Sequence, residues 1–156
     1  MLLEKIIDGG LYQFIDTEVT SWEEAIKISC EPLVREGIVD ETYAQQLIDQ
    51  VNEHGPYIVL LPNLAMPHTS QNAQGVTDTA IAFTRFKKPV SFTPGDETKD
   101  AQVFFTLAAA NETKHLENMA GLFEMLSEED TLSQVMEAQN LGDLQNIVAT
   151  LKKHLI

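Results

Sequence analysis

Cysteine is nearly absent from this sequence: Cys30 stands alone in 156 residues, so no intrachain disulfide can form. Also missing are a charged-then-apolar leader and any apolar stretch near the ~20 residues that a membrane-spanning helix needs. Together these absences lead to the expectation of a cytosolic, soluble protein. Basic residues are scarce, with 10 Lys and Arg against 24 Asp and Glu and a formal net charge of −14. Nucleic acid and anionic membrane both reward clustered Lys and Arg, so neither is expected as the main partner. From Glu36 to Thr84 there is no Lys or Arg at all. Such acidity favours solubility and attraction to a basic protein partner. Repeats, low-complexity tracts and linker-like runs are lacking as well.

What is present suits one globular domain spanning residues 1–156: the hydrophobic content is 44%, enough for a sizeable core. Ser21-Trp22-Glu23-Glu24 has capping-box form, and Trp22, Ala25, Ile26, Cys30 and Leu33 follow at roughly helical spacing until Pro32 and Gly37 unravel the helix. Asp40 is placed to cap a second helix carrying Tyr43, Leu47 and Val51, which His54-Gly55-Pro56 stops. The apolar run Tyr57–Leu61 reads as a buried strand, and Thr79–Phe86 and Ala101–Ala108 as further strands, separated by the turn-rich Thr93-Pro94-Gly95-Asp96-Glu97. A third helix is expected from Asn111 or Thr113, with Leu116, Met119, Ala120, Phe123 and Leu126 facing inward. Two more apolar-periodic segments, Leu132–Ala138 and Leu144–Leu155, make the C-terminal third helix-rich. Interleaved helices and strands imply an α/β fold in which a mixed sheet is covered by helices on both faces.

Of the four histidines, two read as structural. His154 lies beside Lys152 and Lys153 at a helix end, and His54 precedes Gly55, where an imidazole complements the C-terminal helix dipole. His68 is different, because it ends Leu60-Leu61-Pro62-Asn63-Leu64-Ala65-Met66-Pro67-His68. Both prolines lack an N–H and fix φ, so the strand cannot continue and a shaped loop should carry the histidine. Loops at strand ends of open sheets are where sites usually lie. His115 falls in the first turn of the third helix, where exposed N–H groups favour anions. If the strand ending near Ala108 neighbours the strand ending at Leu61, loops on one sheet edge bring His68 and His115 together. Such a pair suits holding an anion, accepting a phosphoryl group on nitrogen, or binding a metal with a third ligand. Spacing does not choose among these. Cys30, four residues after Ile26 on the apolar face, reads as a packing residue, Met66 as packing beneath His68, and Trp22 as core. Asp78 and Asp100 read as solvated turn or strand-edge acids.

Ile58–His68, with Leu64-Ala65-Met66-Pro67-His68 at its centre, resembles the phosphohistidine signature of the IIA components of the bacterial phosphoenolpyruvate:sugar phosphotransferase system, mannitol/fructose superfamily. His54-Gly55-Pro56-Tyr57, Lys87-Lys88-Pro89-Val90, and Thr106-Leu107-Ala108-Ala109 leading to His115 look like its ascorbate-type branch. Thr69, Leu61 and Asn52 depart from it, Asn52 standing about where the mannitol branch has an arginine. The resemblance implies a phosphocarrier without metal or cofactor. In it His68 receives phosphate from the small carrier HPr, at Nε2, and passes it to a cysteine of a IIB component that serves a membrane permease, IIC. His115 would stabilise the phosphoryl group, and the sugar would be ascorbate or a related acid sugar. Two other readings stand beside it: a regulatory phosphoprotein of the same fold, and a metal-dependent hydrolase built on His68 and His115.

Overall fold

Segments at the beginning of the chain alternate rapidly between helix and strand. In the computed structural model, which describes residues 1–69, 73–128 and 130–154, α1 (Leu2–Asp8) and β1 (Tyr12–Ile15) precede the long helices α2 (Trp22–Arg35) and α3 (Tyr43–His54). Then come β2 (Val59–Leu61), β3 (Asn63–Ala65), β4 (Ala80–Ser91), a 3-10 turn at Glu97–Lys99, and β5 (Asp100–Ala108). The remaining helices are α4 (Glu112–Ser127), α5 (Thr131–Glu137) and α6 (Leu141–His154). Leu155 lies outside the described residues, and so does the side chain of His154.

The five strands form one mixed sheet in the order β1-β4-β5-β3-β2. β1 pairs parallel with β4, β4 antiparallel with β5, β5 parallel with β3, and β3 antiparallel with β2. Successive strand residues point to opposite faces, and β4 shows what covers each. The Thr84 hydroxyl is hydrogen-bonded to Gln13, whose amide also donates to the Ile28 carbonyl of α2. The next residue, Arg85, is buried and donates from Nε to the carbonyl of Ala138, just past α5, at 2.8 Å. Helices therefore cover both faces, as the interleaved pattern implied. Phe83, Phe86, Phe104 and Phe105 fill the middle, with Phe86 edge-on to Phe104 at 5.0 Å.

Three expectations need correction. The strand read as Tyr57–Leu61 begins only at Val59, and Pro62 does not open a loop to His68: Asn63, at φ 76°, turns the chain tightly back into β3. The apolar positions Leu60 and Leu61 are exposed, on an edge strand with no further strand beside it. In α4 the buried residues are Leu122 and Met125, which the expected stripe left out; of that stripe Met119 and Leu126 pack partly buried against the core, Ala120 is exposed, and Leu116 and Phe123 are 59% and 50% exposed. The buried face of α4 is thus rotated from the expected stripe, because the packing neighbours and not the periodicity choose which apolar residues are covered. Asp40 does not cap α3; its carboxylate accepts from the Thr42 backbone N–H at 2.9 Å, in the turn ahead of the helix.

Candidate functional site

β3 and β5 run parallel side by side, so both chain ends emerge at one edge of the sheet. β3 delivers Met66-Pro67-His68 there, and β5 delivers the start of α4. Beyond β3 the backbone stays tied down: Met66 N–H donates to the Ile58 carbonyl at 2.8 Å, and Leu107 N–H donates to the Pro67 carbonyl at 2.9 Å. Met66 is buried, as its packing role required, and its carbonyl meets His68 Nδ1 at 2.6 Å. A carbonyl only accepts, so Nδ1 carries the proton and the lone pair of the neutral ring resides on Nε2. The Tyr57 hydroxyl donates to the His68 carbonyl at 2.6 Å, and its ring meets the imidazole edge-to-face, 5.2 Å between centroids.

Asn111 caps α4, its side chain accepting from the Lys114 N–H at 2.9 Å. His115 follows one turn in, as the sequence indicated, and the first-turn amides of Glu112 and Thr113 have no carbonyl one turn earlier to satisfy them. The Thr79 hydroxyl accepts from both Ala110 N–H (2.9 Å) and Asn111 N–H (2.7 Å), clamping the β5–α4 connection to the start of β4. His115 is half-buried, and its Nδ1 is shielded from solvent with no hydrogen-bond partner among the described residues. Desolvation, and after it the charge of the His68 ring, pushes the His115 pKa below its ordinary 6.5. Both histidines thus follow the adjacent parallel strands β3 and β5 at the same edge of the sheet.

Chemically, the arrangement offers one imidazole with a committed tautomer, a second imidazole whose shielded nitrogen has no partner among the described residues, and a helix N-terminus. That set suits an anion of phosphoryl type. Among the described residues, no group of three or more His, Cys, Asp and Glu side chains is arranged to hold a metal ion. Cys30 is buried on α2, and burial pushes its thiol up to about 12, consistent with packing. Trp22 is partly buried and stacks on Phe92 at 5.7 Å. His54 closes α3 ahead of Gly55, in its expected place. Asp78 accepts from the backbone of Thr79 and is exposed, while Asp100 opens β5. No helix among the described residues is long and apolar enough to cross a membrane.

Tyr57 and Thr79 escaped the sequence reading as site residues, since both sat in runs read as strand. Tyr43, read as an apolar helix position, hydrogen-bonds the Leu107 carbonyl through its hydroxyl. Burial raises the pKa of that phenol, and a contact with Thr69, next to His68, acts in the other direction. A tyrosine close before a Pro-His loop was the available signal, though it carries little weight without the fold.

Over residues 6–151 the chain matches the family model described as phosphoenolpyruvate-dependent sugar phosphotransferase system, EIIA 2. It is 34% identical, over 134 residues, to the ascorbate-specific PTS system EIIA component of Shigella boydii serotype 4, which covers 83% of this chain and 86% of that protein. The solution structure of the mannitol-specific cryptic phosphotransferase enzyme IIA of Escherichia coli superposes with a TM-score of 0.78 at 28% identity, covering 96% of this chain and 99% of the other. The same fold occurs in the Escherichia coli complex of enzyme IIAMtl with phosphorylated enzyme IIBMtl, with a TM-score of 0.72 at 22% identity over 90% of this chain and 99% of that one.

Proposed function

The chain belongs to the EIIA 2 family of the phosphoenolpyruvate-dependent sugar phosphotransferase system, a family of phosphohistidine carriers, and on that premise we propose that His68 is the phosphorylated residue and His115 the group that stabilises the phosphoryl in transit. The observation that carries this is the bond from His68 Nδ1–H to the Met66 carbonyl, which leaves Nε2 as the nucleophile. In the first step the Nε2 lone pair attacks the phosphorus of the phosphohistidine on HPr. The new N–P bond forms as the donor's N–P bond breaks, and the departing imidazole keeps the electron pair. In the second step a cysteine thiolate of a IIB component attacks the same phosphorus, and His68 Nε2 leaves with its pair, neutral and ready for another cycle. Such in-line transfer depends on positioning and charge stabilisation, which His115 and the α4 N-terminus supply.

Residues 1–156 act as one IIA domain in the cytoplasm, and the likeness to ascorbate-specific components supports a role in uptake of ascorbate or a related acid sugar through a IIC permease. The test is incubation with phosphoenolpyruvate, enzyme I and HPr, followed by intact mass and peptide mapping. One acid-labile phosphoryl group on His68 is expected, with none on His68→Ala, whose loop position should leave the fold intact. Labelling of that variant at the wild-type level would move the site elsewhere. Chasing the label onto a purified ascorbate-type IIB separates a transport carrier from a regulatory phosphoprotein.

A further inference from the structure

We infer that Tyr57 is a positioning residue for the transfer: its hydroxyl, by holding the His68 carbonyl, keeps the imidazole in the orientation and tautomer that present Nε2. This rests on His68 being the phosphoryl acceptor.

The His68 ring is aimed by a bond that crosses its own backbone, from Nδ1 to the carbonyl two residues earlier, 2.6 Å away. Such a bond survives only if the peptides on both sides of the ring are fixed. The N-terminal side is: Met66 is tied to Ile58, Pro67 has a locked φ, and the Pro67 carbonyl is held by Leu107 of β5. On the C-terminal side Thr69 touches Tyr43, and the His68 carbonyl itself is held by the Tyr57 hydroxyl, which donates to it at 2.6 Å. Its single proton goes to that shorter contact, and Gln50 Oε1 of α3 lies 3.2 Å from the same oxygen. The phenol's one donor bond is therefore committed to the loop. Its ring adds a wall, standing at 88° to the imidazole with centroids 5.2 Å apart, so the imidazole cannot swing toward α3 without collision. Burial raises the Tyr57 pKa, which keeps the hydroxyl a donor throughout the working pH range. When the hydroxyl is lost, the His68 carbonyl loses its hold while Thr69 keeps its contact with Tyr43; the peptide between them gains room to tilt, the Nδ1 bond weakens, and the proton redistributes between the two ring nitrogens. Each molecule with its proton on Nε2 is then unreactive at that atom.

Tyr57→Phe keeps the ring and removes the hydroxyl. Single-turnover transfer from phosphorylated HPr at saturating donor should slow by about 3- to 10-fold, the equivalent of one hydrogen bond, with the half-saturating donor concentration unchanged. Nitrogen-15 spectra of the imidazole should report the Nδ1–H form in the wild type and a mixture in the variant, and part of the variant's phosphate should appear on Nδ1. Unchanged rates with unchanged ring spectra would overturn the inference. A raised half-saturation point with unchanged spectra would do so too, since the hydroxyl would then serve docking. Wild-type spectra showing the proton on Nε2 would overturn it with no variant made. Absence of any phosphate on wild-type His68 would instead remove the phosphocarrier reading, and the ring spectra would still decide the role of Tyr57.

Discussion

Replacing His115 by alanine should separate stability from activity, because in the unphosphorylated protein this ring is poorly satisfied. Its Nδ1 is shielded from solvent with no partner among the described residues, a condition that costs about 1–3 kcal/mol. Alanine removes that cost and adds up to about 0.7 kcal/mol of helix propensity in α4. Against this stands the lost packing of a half-buried imidazole, about 1–2 kcal/mol. The expected balance is neutral to about 1 kcal/mol stabilising, or a rise in Tm of no more than about 2–4 °C for a chain of this size. Transfer onto His68 should nonetheless fall by about 10²–10³-fold, the range for losing one donor to developing charge, and toward the lower end because the ring is half-exposed. Rapid-quench transfer from phosphorylated HPr alongside calorimetry measures both quantities on one sample. Wild-type transfer rates would reduce His115 to a helix residue, and a loss of more than about 2 kcal/mol would show that its ring holds the site together. The pH dependence supplies a second check. The folded pKa of His115 lies below its ordinary value of 6.5, so the unfolded chain binds more protons in that interval. Its contribution to stability is complete above the unfolded value and is lost as pH falls through the window beneath it. The variant should lack that acid-side loss, and a phosphoryl group on His68 should reverse its sign in the wild type.

Three further outcomes follow from the geometry. Thr79→Val removes the acceptor of the Ala110 and Asn111 amides, which should cost about 1 kcal/mol and slow transfer by loosening the start of α4; unaltered calorimetry and kinetics would show that water replaces the hydroxyl fully. Leu116→Ser with Phe123→Ser alters side chains that are already 59% and 50% exposed, the first next to His115 in the chain and the second about two helix turns beyond it. Stability should move by less than about 0.5 kcal/mol per site, while the half-saturating concentration for HPr or IIB rises; unchanged titration curves for both partners would mean that neither docks there. Burial pushes the Cys30 thiol up to about 12, so an aromatic disulfide reagent at pH 8 should label it only as fast as the protein unfolds, and immediate labelling of the native chain would contradict its place in the core.

The primary sequence by itself settled a good deal here, and it did so where the physics is local. Pro67 ahead of His68 marks a shaped loop whatever lies around it, Asn111 caps a helix by its own side chain, and the spacing of Ala25, Ile26, Cys30 and Leu33 needs only a 3.6-residue period to define an inner face. Those readings stand in α2, α4 and the position of both histidines. Strands of three and four residues are another matter. β1, β2 and β3 are too short to show a period, and β3 is hidden behind Pro62 because the turn depends on Asn63 adopting φ 76°. Pairing is non-local, so nothing in the chain announces that β3, and not the run ending at Leu61, lies beside β5. The same limit applies to α4: the sequence displays an apolar stripe, but only the packing of neighbouring helices decides that Leu122 and Met125 are covered while Leu116 and Phe123 face outward. Tyr57 is the sharpest case. Its apolar ring made it a strand residue by composition, whereas its role depends on where one hydroxyl falls relative to a carbonyl eleven residues later, a distance that only the folded chain defines.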